Sequence, residues 1–187
     1  MFFSTVKKAG FLVISLQIFF SCATYQPKVA TQTSNISTSL NKQQTAQSIY
    51  LLGDAGAEGG NQATLNVLEQ TFADADTDDF LIFLGDNAYP NGLAEGNLSG
   101  ANALEAQLQT ADKFPSKVVF IPGNHDWKSG LEALEKQEDK INKQLKGKNH
   151  FLPENGCPIE TLTLSENAVL ILVNSQWFLE DRDNHPK

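Results

Sequence analysis

The chain predicts an α/β fold built on a parallel sheet. Two observations carry that expectation. Short apolar runs of strand length alternate with stretches of helical periodicity from Ser48 to Leu145. The resulting strand–helix–strand–helix–strand order favours parallel strands joined by right-handed crossovers. In addition, three of the runs end in a glycine followed by a residue with an oxygen or nitrogen donor. They are Ile49–Leu52 before GDAG (53–56), Phe80–Leu84 before GDNAYP (85–90), and Val118–Ile121 before Pro122 and GNHDW (123–127). Ligands of parallel sheets bind beyond the carboxyl ends of the strands, where all three tips fall.

Each element follows from its own pattern. Ile49–Leu52 predicts a short buried strand. Asn61–Phe72 places Ala63, Leu65, Val67, Leu68 and Phe72 at helical spacing, with Asn61 suited to cap it. Ala73–Asp79 is an acidic turn, and Phe80–Leu84 is the second buried strand. Ala101–Ala111 reads as a helix with Leu104 and Leu108 one turn apart, and Lys117–Ile121 as the third strand. Gly130–Leu145 is a charged amphipathic helix with Leu131, Leu134, Ile141 and Leu145 on one stripe. The pattern then changes. Ile159–Leu164 and Ala168–Val173 flank a Ser-Glu-Asn turn and predict an antiparallel hairpin.

The 187 residues are enough for one domain or part of a larger one. Of 14 basic residues, Lys7, Lys8, Lys28 and Lys42 lie in 1–47, which holds no acid. Ten basic residues therefore face 22 acidic ones beyond it, a net charge of −12. A domain this acidic excludes nucleic acid and anionic membrane as electrostatic partners. Bound cations would still let it take phosphate substrates.

The first 21 residues have the layout of an export signal. Lys7 and Lys8 precede Gly10–Phe20, apolar apart from Ser15 and Gln17 and too short to span a bilayer. The run ends in FFSC (19–22), which resembles a bacterial lipoprotein signal. That resemblance implies lipidation at Cys22, a membrane anchor and a cell-envelope location. Cys157 is then left without an intrachain partner. Residues 22–47, rich in Ser, Thr, Gln and Asn, are expected to be a disordered tether. The folded domain is expected over 48–187.

The tips carry the chemistry. Asp54 and Asp86 are carboxylates at neighbouring strand ends, and such a pair repels unless a cation lies between. Asn124 adds an amide oxygen. Tyr89, three residues after Asp86, can turn back as a phenolate. Hard oxygen donors suit Fe(III), Mn, Mg or Zn. Two metal ions would clamp a phosphoryl group and supply hydroxide at neutral pH. His125 could protonate a leaving oxygen or stabilise an oxyanion, with Asp126 holding its ring. Gly53, Gly56, Gly85 and Gly123 allow sharp turns, which Pro90 and Pro122 stiffen. Singly, each residue has a plainer reading: Asp54 a helix cap, GDN a turn, Tyr89 a core side chain. GDAGAEGG (53–60) lacks the lysine of a P-loop. Only the joint occurrence on three tips points to a metal site.

GDAG, GDNAYP and GNHD, in this order, resemble the first three blocks of the calcineurin-like metallophosphoesterases. The GDxG and GDxxY forms are most similar to the purple acid phosphatase branch. The resemblance covers about residues 48–175. It implies a metallophosphoesterase-type sandwich of two sheets flanked by helices (αββα). It further implies that Asp54 and Tyr89 bind a first metal, Fe(III), that Asp86 bridges, and that Asn124 binds a second metal (Fe, Mn or Zn). His125 would be the catalytic histidine. The implied reaction is hydrolysis of a phosphate ester, as in an acid phosphatase acting on monoesters, by metal-bound hydroxide.

Two histidine blocks that follow in that family are not found after GNHD. His150 in KNHFLP reads as a loop residue, and His185 follows no buried strand. The domain is therefore expected to be incomplete at its C-terminus and inactive as this chain. Two further expectations stand beside the first. One is a non-enzymatic surface lipoprotein with a degenerate phosphatase-like domain. The other is a nucleotidase or phosphodiesterase of the same superfamily.

Overall fold

A computed structural model describes residues 47–57 and 62–186. The export signal, Cys22, the tether up to residue 46 and Asn61 lie outside the described residues, while Gln47, expected to end the tether, donates from Nε2 to the Leu164 carbonyl at 3.3 Å. The first sheet is parallel, in the order β1 (Ile49–Leu52), β2 (Phe80–Phe83), β3 (Lys117–Phe120). Its register pairs Ile49 with Phe80 and Phe80 with Lys117, so the three carboxyl ends finish level. Helices α1 (Gln62–Thr71) and α2 (Leu98–Ala111) make the crossovers, and α4 (Gly130–Gln144) follows the short α3 (Asn124–Trp127). Strands β4 (Ile159–Ser165) and β5 (Ala168–Val173) form an antiparallel hairpin, with a register shift between Thr163 and Ser165.

Strand alternation sorts the core into two layers. Leu81 and Phe83 of β2, with Val118 and Phe120 of β3, pack under Leu65, Leu104, Leu108, Leu134 and Ile141 of the helices. Phe83 and Phe120 stack with ring centroids 4.2 Å apart. Phe80, Ile82 and Val119 point the other way, onto Leu162 and Leu172 of the hairpin. Helices, a parallel sheet and a second sheet are thus layered as expected for the αββα class, with every residue of β2 buried.

Two local expectations change, and the two later histidines find places outside the tips. Strand β1 is not buried on both faces. Tyr50 and Leu52 join the helix-side core, but Ile49 and Leu51 are 41% and 58% exposed. They belong to an edge strand that the hairpin does not cover. Helix α2 begins three residues before Ala101, because Asn97 accepts the Gly100 N–H at 3.1 Å and caps it. His150 is a loop residue bonded along the edge of β3. Its carbonyl accepts the Phe120 N–H at 2.7 Å, and its Nδ1 lies 2.8 Å from the Val118 carbonyl. His185 stacks on Trp177, ring centroids 3.9 Å apart.

Candidate metal centre

The parallel ladder runs past the strands and brings the tips together. Leu84 N–H donates to Leu52 O at 2.8 Å, Ile121 N–H to Phe83 O at 2.8 Å, and Asp54 N–H to Gly85 O at 3.2 Å. Beyond this point the backbone is strained. Asp54 and Asp86 have φ of 56° and 54°, a left-handed conformation uncommon for a residue with a Cβ, though Asp adopts it more readily than most. Each such residue costs of order 1 kcal/mol and persists where surrounding structure imposes it, commonly at functional sites. The glycines have a different task. A Cβ on Gly123 would collide with the amide and Oδ1 of Asp86, and one on Gly56 with the backbone of Asp86–Ala88. These glycines let the loops touch.

The tips line an open crevice of about 710 Å³ that includes Asp54, Asp86 and Asn124, with Ser175 and Gln176 from the segment after β5. Tyr89 turns back onto two of its aspartates. Its hydroxyl lies 2.8 Å from Asp86 Oδ2 and 2.9 Å from Asp54 Oδ1. One hydroxyl proton serves only one of the two carboxylates. Among the described residues no lysine or arginine forms an ion pair with either aspartate. Burial, then the hydrogen bonds to Asp86 and Asp54, push the Tyr89 phenol well above its usual range. A cation among these oxygens would reverse that. The donor set is anionic, all oxygen and short of positive charge, so it fits a hard metal ion. Among the described residues no three His, Cys, Asp or Glu side chains cluster as a metal group. The donors that converge here draw on Tyr and Asn as well.

His125 starts where the third tip becomes α3. Its backbone N–H donates to Asp86 Oδ1 at 2.9 Å, and its ring lies over Tyr89, centroids 4.2 Å apart. Nδ1 is 2.6 Å from the Pro90 carbonyl, which can only accept, and 2.9 Å from the Lys128 ammonium, which can only donate; the shorter contact assigns the proton to Nδ1. Nε2 is left as acceptor, 3.1 Å from the Lys128 ammonium.

Asp126 does not hold that ring, contrary to expectation. It is fully buried, and its carboxylate faces inward. It accepts from the amides of Asn87, Ala88 and Gly123, from Asn87 Nδ2 and from Gln137 Nε2, at 2.8–3.2 Å. At the third position of α3, its reach back to Gly123 also caps the helix. Burial pushes its pKa up to about 6, against the opposing pull of these donors. Asp126 is thus a positioning residue that locks the second tip to the third. The Pro90 carbonyl takes the role expected of it.

Asn87, Gln107 and Gln137 complete this buried network and were not foreseen. Gln107 Nε2 donates to the Asn87 carbonyl at 2.7 Å. Both glutamines sit among leucines on the core-facing stripes of α2 and α4, buried with them. A polar residue on an apolar stripe was the available signal.

The family model described as calcineurin-like phosphoesterase matches residues 48–179. No curated protein and no solved structure matches the sequence. The match spans all three tips and the hairpin, and the chain belongs to the calcineurin-like phosphoesterase family, whose members are metal-dependent hydrolases of phosphoric esters.

Proposed function

We propose that the domain is a purple acid phosphatase-like phosphomonoesterase with a dinuclear metal centre, exported and held at the cell envelope by a lipid on Cys22. The observation that carries the reading is the Tyr89 hydroxyl, within hydrogen-bond distance of both Asp54 and Asp86. Asp54 and Tyr89 would hold the first metal, Asp86 both, and Asn124 the second, with Fe in the first position and Fe, Mn or Zn in the second. Such ions neutralise the phosphoryl charge and make water nucleophilic at neutral pH. The chain's own residues supply orientation and a proton. Nδ1–H of His125, engaged by Pro90, leaves Nε2 to carry a proton to the leaving oxygen. Tyr89 packs against the ring and limits its rotation. Asp126 holds the two loops in register.

The test is elemental analysis of the purified chain together with phosphate release from an aryl phosphate. Bound Fe, Mn or Zn with metal-dependent release supports the reading. A folded chain that binds no metal sinks it; turnover is expected only where the two histidine blocks not found after GNHD are supplied. That second outcome favours a non-enzymatic surface lipoprotein with a phosphatase-like domain, a reading supported by the two histidine blocks not found after GNHD.

A further inference from the structure

We infer that Lys128 is a substrate-recognition residue, which pairs with His125 to bind the terminal oxygens of a phosphate monoester dianion in preference to a diester. The inference rests on the phosphoesterase reading above and names the part of the substrate that Lys128 reads.

Lys128 sits against an imidazole, where the paired lysines sit against carboxylates. Lys113, Lys136 and Lys140 each fold back onto a carboxylate, Glu69, Glu132 and Glu105 respectively, at 2.7–2.8 Å. Lys128 forms no such ion pair among the described residues. Its ammonium lies instead 2.9 Å from Nδ1 and 3.1 Å from Nε2 of His125. The ammonium is thus held against the candidate proton donor and not against a carboxylate. Their backbone is fixed: Lys128 N–H closes α3 on the His125 carbonyl, and Ser129 Oγ donates to the Asn91 carbonyl at 3.0 Å. The side chain itself is exposed.

The chemistry then selects the ligand. Asp54 and Asp86 repel a free anion, and the Lys128 ammonium beside His125 is a source of positive charge next to the tip that carries Asn124. A monoester offers three terminal oxygens and two charges, a diester two oxygens and one charge. An ammonium on a flexible stem is a mobile point charge, suited to a terminal oxygen whose position shifts during reaction. Contacts between an ammonium and a phosphoryl oxygen are charge-assisted and weaken with salt.

The experiment uses the full chain and its K128Q and K128R variants. Inorganic phosphate binding is measured by calorimetry at low and high salt, and metal content by elemental analysis. K128Q is expected to bind phosphate about tenfold more weakly with unchanged metal content, and K128R to restore most of the affinity. With turnover, KM for an aryl monoester should rise about tenfold in K128Q while that for a bis-aryl diester stays constant. K128Q binding phosphate as tightly as the unaltered chain, metal being present in both, overturns the role of Lys128 alone. An unaltered chain that binds neither metal nor phosphate overturns the phosphoesterase reading, and this inference with it.

Discussion

The carboxylate of Asp86 accepts the backbone N–H of His125 at 2.9 Å. The second strand tip thereby sets the position of the third, and a candidate metal ligand fixes the start of the turn that carries the candidate proton donor. Oδ2 of the same carboxylate faces the Tyr89 hydroxyl. One side chain thus organises both neighbours, and its charge and its hydrogen bonding can be separated by mutation.

Asp86→Asn should fold, since an amide oxygen still accepts the His125 N–H. It removes the negative charge. Metal content and aryl phosphate hydrolysis are expected to drop by at least about 100-fold, since altering even outer-shell partners of a metal costs 10–100-fold. Unchanged metal content in this variant contradicts the proposed centre.

Tyr89→Phe tests the donor set differently. The ring can keep its packing on His125, so stability should change by less than about 1 kcal/mol. With iron bound, a phenolate ligand gives visible colour. The expected outcome is loss of that absorption band and weaker metal retention. A coloured Tyr89→Phe protein shows that the phenol is not the ligand.

Gly123→Ala separates backbone conformation from crowding. Gly123 has φ −106°, which alanine adopts without strain. The added Cβ would nonetheless meet Asp86. We expect destabilisation of about 1–3 kcal/mol, read by denaturant unfolding, together with impaired metal binding. A neutral effect on both shows that the tips can move apart.

Asp126 gives a pH signature opposite in sign to that of most native carboxylates. Burial raises its folded pKa to about 6 from an unfolded value of 3.8. The folded state therefore binds the proton more tightly. The stability this contributes is complete below about pH 4 and lost as pH rises through about 6, a change of about 3 kcal/mol. Asp126→Asn has no such titration. Its destabilisation relative to the unaltered chain, taken from denaturant midpoints, should be larger at pH 4 than at pH 7. If it instead grows with pH, the donors around Asp126 outweigh its burial.

The tips were legible because their signal is local. An apolar run, a glycine and a polar residue are neighbours in the chain, and the parallel register that aligns Asp54 and Asp86 follows from the alternation of strands and helices. Start points of helices were less legible. α2 begins at Leu98 because Asn97 both caps it and donates from Nδ2 to the carbonyls of Tyr89 and Gly92, a clamp between loop and helix that periodicity does not encode.

From residue order alone came the α/β class, the three tips and the family, since these depend on spacing along one chain and on alternation between strand and helix. The direction in which Asp126 points, the use of the Pro90 carbonyl to orient His125, the placing of Lys128 against that ring and the open face of β1 were settled only by the tertiary structure. Each depends on which residue, tens of positions away, reaches the same few cubic ångströms first. Burial makes that competition decisive: once Asp126 is enclosed by five donor groups, its carboxylate cannot also serve the ring beside it.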